Sequence, residues 1–124
     1  MPTVVVCDDE PDVRLLCRMA FELEGWDVVE AANGRDCIDV MRVLEPLPDC
    51  VVIDVMMPVM DGLSALVAMH ADQLLQTVPV LLLSAKAGTE DVERGMRAGA
   101  TDYVTKPFSP WALVERAVVV ARAA

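Results

Sequence analysis

The acids Asp8, Asp9 and Glu10 follow the run Val4-Val5-Val6-Cys7, Asp54 closes Val51-Val52-Ile53, Ser84 follows Leu81-Leu82-Leu83, and Lys106 follows Tyr103-Val104-Thr105. Each charged or polar side chain stands where an apolar, β-rich run stops. Carboxylates gathered at one point repel one another and raise each other's pKa unless a cation sits among them. Carboxylates, backbone carbonyls and waters are the donors that suit Mg²⁺, which keeps several waters and often also contacts a phosphate. Lys106 could pair with one of these acids or with an oxygen of a transferred phosphoryl group, and Ser84 could donate a hydroxyl hydrogen bond to another. Singly, an acidic loop after a strand is usually a solvated turn, and Asp61-Gly62 is a turn signal. Their joint placement on one edge of one sheet is what gives them a chemical meaning.

Such an edge needs parallel strands. Short β-rich runs at Thr3 to Cys7, Trp26 to Glu30, Cys50 to Asp54, Val78 to Leu83 and Asp102 to Thr105 alternate with helix-like segments, the pattern of an α/β fold. The first, third and fourth runs are nearly continuous Val, Ile and Leu, as expected where helices cover both faces. Right-handed crossovers put all strand carboxyl ends on one edge, and ligands of open α/β sheets bind there. Between the strands, Pro11 suits a first helical turn, with Val13, Leu16, Cys17 and Ala20 at helical steps and Gly25 as the stop. Asn33 is a good N-cap for a helix carrying Cys37, Ile38, Met41 and Leu44, ended by Pro46 and Pro48. A third helix starts after Asp61-Gly62 and runs through Leu66, Val67 and Met69; a fourth spans about Thr89 to Ala98. The last opens at Ser109-Pro110 and carries Leu113, Val114, Ala117, Val118 and Ala121.

The 124 residues suit one domain, and a composition 55% hydrophobic and 24% charged is that of a packed fold rather than a disordered tail. A net charge of −10 repels a phosphate backbone, so direct nucleic-acid binding by this chain is not expected. The amino terminus meets Asp8 and Asp9 too soon for a signal-peptide core, and no apolar run approaches the roughly 18 residues of a membrane span. A cytoplasmic protein without membrane contact is expected. Cys7, Cys17, Cys37 and Cys50 form no C-x-x-C pair and read as buried, reduced thiols.

With these residues in place, the chain resembles the receiver domains of two-component response regulators. The resemblance is carried by Asp8-Asp9-Glu10, Val51 through Pro58, Asp61-Gly62, Ser84-Ala85, Gly99-Ala100, Asp102-Tyr103 and Lys106-Pro107-Phe108, in order over essentially the whole chain. It implies a doubly wound, five-stranded parallel sheet in the flavodoxin-like order 2-1-3-4-5 with five helices. It further implies that Asp54 takes a phosphoryl group from a histidine kinase or phosphotransfer protein. Asp8, Asp9, Asp54 and the Met56 carbonyl would hold Mg²⁺ or Mn²⁺, and Lys106 and Ser84 would read the phosphorylated state. Tyr103 is the ring that would turn inward on switching, and the Lys106-Pro107 bond is expected to be cis. Partners would be the phosphoryl donor and a downstream protein, or a second copy, at the face of the fourth helix, fifth strand and last helix. One receiver domain over residues 1–124, with no output module in this chain, is the expected organisation.

Met56 and Lys86 stand two places after the acceptor and the switch hydroxyl, positions associated in the family with the lifetime of the phosphoryl group. Met56 has no polar atom to orient water, and Lys86 could pair with the phosphoryl group or a nearby acid, so slow self-hydrolysis is expected. Two rivals stay open: a receiver-shaped binding module that never accepts phosphate, and a Mg²⁺-dependent phosphohydrolase. The latter usually bears its nucleophile on the first strand, whereas the best nucleophile here lies on the third. A flavodoxin-like cofactor protein would need a hydroxyl-rich loop where Asp8-Asp9-Glu10 would repel the cofactor's phosphate. His70 is assigned no chemistry; Arg94, Arg97, Glu115 and Arg116 could form salt bridges between partners, although such charges are more often a solvated rim.

Overall fold

The structure, a computed structural model, describes residues 2–123. Five strands and five helices alternate: β1 (Thr3–Cys7), α1 (Pro11–Leu23), β2 (Asp27–Ala31), α2 (Gly34–Val43), β3 (Cys50–Asp54), α3 (Gly62–Ala71), β4 (Val80–Ser84), α4 (Thr89–Arg97), β5 (Asp102–Thr105) and α5 (Pro110–Ala123). The strands form one sheet in the order β2-β1-β3-β4-β5, and every pairing is parallel. This is the doubly wound order that the resemblance implies.

The two-residue period of a strand divides the apolar runs between two cores. Val5, Cys7, Val51, Ile53, Val80 and Leu82 face α2 and α3, where Cys37, Ile38, Met41, Ala65, Leu66 and Met69 meet them. Val4, Val6, Cys50, Val52, Leu81 and Leu83 face α1 and α5 through Cys17, Ala20, Phe21, Leu113, Val114 and Ala117. All four cysteines are buried and unbridged, as expected. Burial pushes the Cys17 and Cys50 thiols up to about 12, which keeps them protonated and unreactive.

The helix ends follow local chemistry. Asn33 accepts from the Asp36 N–H at 2.9 Å, Asp61 accepts from the Ser64 N–H at 2.7 Å, and Gly99 closes α4 with φ +112°. Several expectations need correction. β2 starts at Asp27 rather than Trp26, because Trp26 turns into the core and packs edge-to-face on Phe21, ring centroids 5.1 Å apart. β4 starts at Val80 rather than Val78, since the Val78 N–H closes a turn onto Leu75 and Pro79 has no N–H to give a ladder; it also runs one residue further, to Ser84. α4 ends at Arg97. Leu16 and Val67, assigned to inward stripes, are exposed, because Cys17 and Leu66 take the inward positions beside them. The Lys106-Pro107 bond is cis, and so is Glu45-Pro46.

Candidate functional site

Asp8 leaves the end of β1 with its backbone N–H on the Ala31 carbonyl at 3.1 Å, which fixes the first turn of the loop beside β2. Its carboxylate is fully buried. One oxygen accepts from the Glu10 N–H at 2.9 Å, and the Asp8 carbonyl accepts from the Arg14 guanidinium at 2.6 Å. Arg14 also reaches Glu30 at 3.2 Å, so the loop is tied to both α1 and β2.

Asp54 ends β3 and is buried beside Asp8. Its Oδ1 accepts from the Met56 N–H at 3.2 Å, which sets the carboxylate's rotation. Close beneath it lies the start of α3, where the Gly62 N–H bonds the Val55 carbonyl at 2.9 Å. A side chain at Gly62 would run into the Asp54 backbone, so glycine is what lets α3 begin so near the acid.

Lys106 crosses from the end of β5 and donates to Asp54 Oδ2 at 3.0 Å and to Asp8 Oδ2 at 3.1 Å. Its own N–H bonds the Ser84 carbonyl at 2.7 Å, which fixes its stem against β4. Burial alone would depress the ammonium pKa, but the hydrogen bonds to Asp54 and Asp8 outweigh it and hold the pKa above the ordinary lysine value. For Asp8 burial dominates and pushes the carboxyl up, against the opposing pull of the Glu10 N–H and Lys106.

Ser84 is buried, and its Oγ accepts from the Lys86 N–H at 3.0 Å. Tyr103 already lies inward while Ser84 is held by Lys86, with the ring hydroxyl donating to the Lys86 carbonyl at 2.7 Å, so the expected inward turn on switching is not needed to bring the ring to this position. One two-residue step of chain thus connects the hydroxyl and the ring. Ser84, Lys86 and Tyr103 line a cavity of about 120 Å³ with Met56, Asp61, Asp91 and Arg94. Met56 and Lys86 are otherwise exposed.

The carboxylates of Asp8, Asp9 and Glu10 offer oxygens that all lie within 4.8 Å of one another. This donor set fits a hard divalent cation: all ligand atoms are oxygens, and the buried member is pushed toward protonation, a cost that a cation would relieve. Asp54 stands outside that trio, held instead by Lys106. Asp8, Asp54, Ser84 and Lys106, expected at one edge from the sequence, meet there. Glu10, undecided in the sequence, stands within the acidic trio. Arg14 has no part in the sequence reading; its only signal is a basic residue one turn into α1, spaced between the inward Val13 and Cys17. His70 bonds the Gly99 carbonyl at 2.9 Å, at a distance from this cluster.

Among the described residues no helix is long and apolar enough to cross a membrane. The family model described as "Response regulator receiver domain" matches residues 4–118. The chain is 45% identical over 107 residues to the probable transcriptional regulatory protein TcrX of Mycobacterium tuberculosis, covering 86% of this chain and 44% of that protein. It is 33% identical to the phosphate regulon transcriptional regulatory protein PhoB of Pseudomonas aeruginosa, covering 97% and 52%. The chain therefore spans about half the length of the curated relatives it matches. Those names say transcriptional regulation, so for the longer relatives the expectation of no nucleic-acid partner does not carry over. The receiver domain of the Francisella response regulator 1452 superposes with a TM-score of 0.92 at 32% identity, covering 99% of this chain and 98% of that one. With fold, strand-end cluster and sequence in agreement over nearly its whole length, the chain belongs to the response regulator receiver domain family.

Proposed function

We propose that this chain is a phosphoacceptor switch in which an Asp54 carboxylate oxygen attacks the phosphorus of a phosphohistidine on a histidine kinase or phosphotransfer protein. The P–N bond breaks, and the imidazole leaves with the electron pair. The observation that carries this reading is the Lys106 ammonium shared between the buried carboxylates of Asp8 and Asp54 at 3.1 and 3.0 Å. A buried nucleophile beside a second acid and under a fixed cation is arranged to receive an anionic group.

Asp8 and Asp9, with Asp54 and the Met56 carbonyl, would hold Mg²⁺ or Mn²⁺, and Glu10 stands close enough to contribute. When bound, the ion supplies neutralisation of the charge on the transferring oxygens. Lys106 then turns from Asp8 toward a phosphoryl oxygen. Ser84 gives up its role as acceptor from the Lys86 N–H and donates its hydroxyl to another. Phosphorylation adds about two negative charges, which supply the force for both movements. Tyr103, bonded to the carbonyl of Lys86, follows the segment that carries Ser84 and relays its position to the α4, β5 and α5 face. That face would meet a downstream protein or a second copy of the chain.

We place one receiver unit over residues 1–124, working in the cytoplasm, where its four unbridged thiols stay reduced. The surplus acid of this unit argues that any DNA contact made by a longer protein lies outside it. Incubation with Mg²⁺ and acetyl phosphate, followed by intact mass, tests the reading. One phosphoryl group should be gained, and the gain should be lost with a chelator or in Asp54→Ala. An unchanged mass in the wild type with Mg²⁺ would favour a receiver-shaped binding module.

A further inference from the structure

Gly95 lies within α4, where glycine is disfavoured relative to alanine, so a packing reason is expected for it. Only Gly25 and Gly99 among the glycines take a positive φ, so conformational freedom is not that reason. Gly95 is buried, and a Cβ placed there would stand 3.0 Å from Tyr103 Cδ2, 3.2 Å from Tyr103 Cε2 and 2.8 Å from Leu82 Cδ1. The ring edge of Tyr103 and the end of Leu82 therefore pack directly against the space a side chain at 95 would take. With the ring in that slot, its hydroxyl reaches the Lys86 carbonyl at 2.7 Å, in the same residue whose N–H holds Ser84.

We propose that Gly95 is the permissive element of the Tyr103 position: its missing side chain forms the slot on α4 that lets the ring lie inward and engage the Lys86 carbonyl. The functional consequence rests on the reading of Ser84 and Tyr103 as switch residues; the slot itself does not. A methyl at 95 requires the ring edge of Tyr103 and the end of Leu82 to give way by a few tenths of an ångström, which shifts the ring outward and loosens its bond to Lys86. Asp54, Asp8 and Lys106 keep their bonds, because those run between β1, β3 and β5 and not to α4. Gly95→Ala thus separates acceptance of a phosphoryl group from the inward state of the ring.

Tyr103 is the only tyrosine in the chain, so 3-fluorotyrosine labelling gives one ¹⁹F resonance that reports its surroundings. The wild type should show a resonance shielded from solvent, and Gly95→Ala should shift it toward the position of an exposed ring. The second measurement is urea unfolding of wild type, Gly95→Ala, Tyr103→Ala and the double variant. Gly95→Ala should lower the folding equilibrium constant roughly tenfold when Tyr103 is present, and leave it unchanged or raise it in the Tyr103→Ala background, where the ring is gone. If Gly95→Ala fails to fold, the double variant should recover folding. An unmoved ¹⁹F resonance, or an equal loss with and without the ring, would overturn the proposal; equal losses would assign the clash to Leu82. Phosphorylation of Asp54, measured by mass on the same samples, should stay within about twofold of wild type in Gly95→Ala. Absence of label in every variant contradicts the phosphoacceptor reading and leaves the resonance and unfolding cycle to decide the slot.

Discussion

Removal of Lys106 leaves the buried carboxylates of Asp8 and Asp54 without the cation they share. Breaking a buried pair from one side costs more than the pair contributes, because the remaining charge stays buried. Lys106→Met should therefore lower stability by about 2 to 3 kcal/mol without metal, and added Mg²⁺ should recover part of the loss; urea unfolding with and without the ion measures both. A loss unaffected by Mg²⁺ would place the ion elsewhere. Met56 and Lys86 bear on a different quantity. Met56 has no polar atom to orient water for attack on an acyl phosphate, and Lys86 can pair with the phosphoryl group or a nearby acid, so label on Asp54 should persist over hours, and Met56→Glu or Lys86→Glu should shorten its life severalfold by mass time course. Loss of wild-type label within a minute would contradict this. The strand-end acids, the serine and the lysine were legible in the sequence because a parallel sheet has only one place to put them. Arg14 was not: its contact at the site is with the Asp8 backbone carbonyl, and its side-chain partner Glu30 lies on another element, β2.

At the level of elements, two ties hold the site's surroundings in shape. Arg116 on α5 grips Asp102 on β5 through two bonds of 2.6 and 2.7 Å, and that hydrogen-bonded guanidinium holds the Asp102 carboxyl below its usual pKa. A depressed carboxylate contributes stability above the unfolded pKa of about 4 and loses it as pH falls through the folded value. Asp102→Asn should cost about 0.5 to 1 kcal/mol at pH 7, and the difference should shrink as pH falls below about 4; a difference that stays constant into acid would assign the effect to packing. The other tie is the loop from β3 to α3. Val59 has φ +68° and sits at the centre of a tight turn in which the Met60 N–H bonds the Pro58 carbonyl at 2.7 Å. A β-branched residue is strained in that region. Val59→Gly should raise stability by up to about 1 kcal/mol, and a loss measured by urea unfolding would show that the strain is absent. Strand and helix identities were legible from the apolar runs and caps, but the starts of β2 and β4 were not. Trp26 and Val78 look like strand residues, and their real partners, Phe21 and the Leu75 turn, are set by tertiary packing.

Over the whole molecule, the fold places one charged cluster at the carboxyl edge of a sheet covered on both faces, and places the inward ring of Tyr103 between that cluster and α4. The order of strands rests on burial of Val, Ile and Leu on both faces, which the sequence displays openly. The inward pose of Tyr103 rests on an empty space at Gly95, which no side chain announces. The excess acid that gives the chain a net charge of −10 disfavours a phosphate backbone at this unit, whereas under the proposed reading a divalent cation and Lys106 would admit one phosphoryl group. The claim on which all of this turns is that Asp54 is the acceptor. Treatment of the phosphorylated protein with borohydride reduces an acyl phosphate to the alcohol, leaving homoserine where the aspartate stood, and peptide mass then locates it. Homoserine at position 54 alone, dependent on Mg²⁺, is the expected result; homoserine at Asp8, Asp9 or another acid, or none at all, would contradict the assignment.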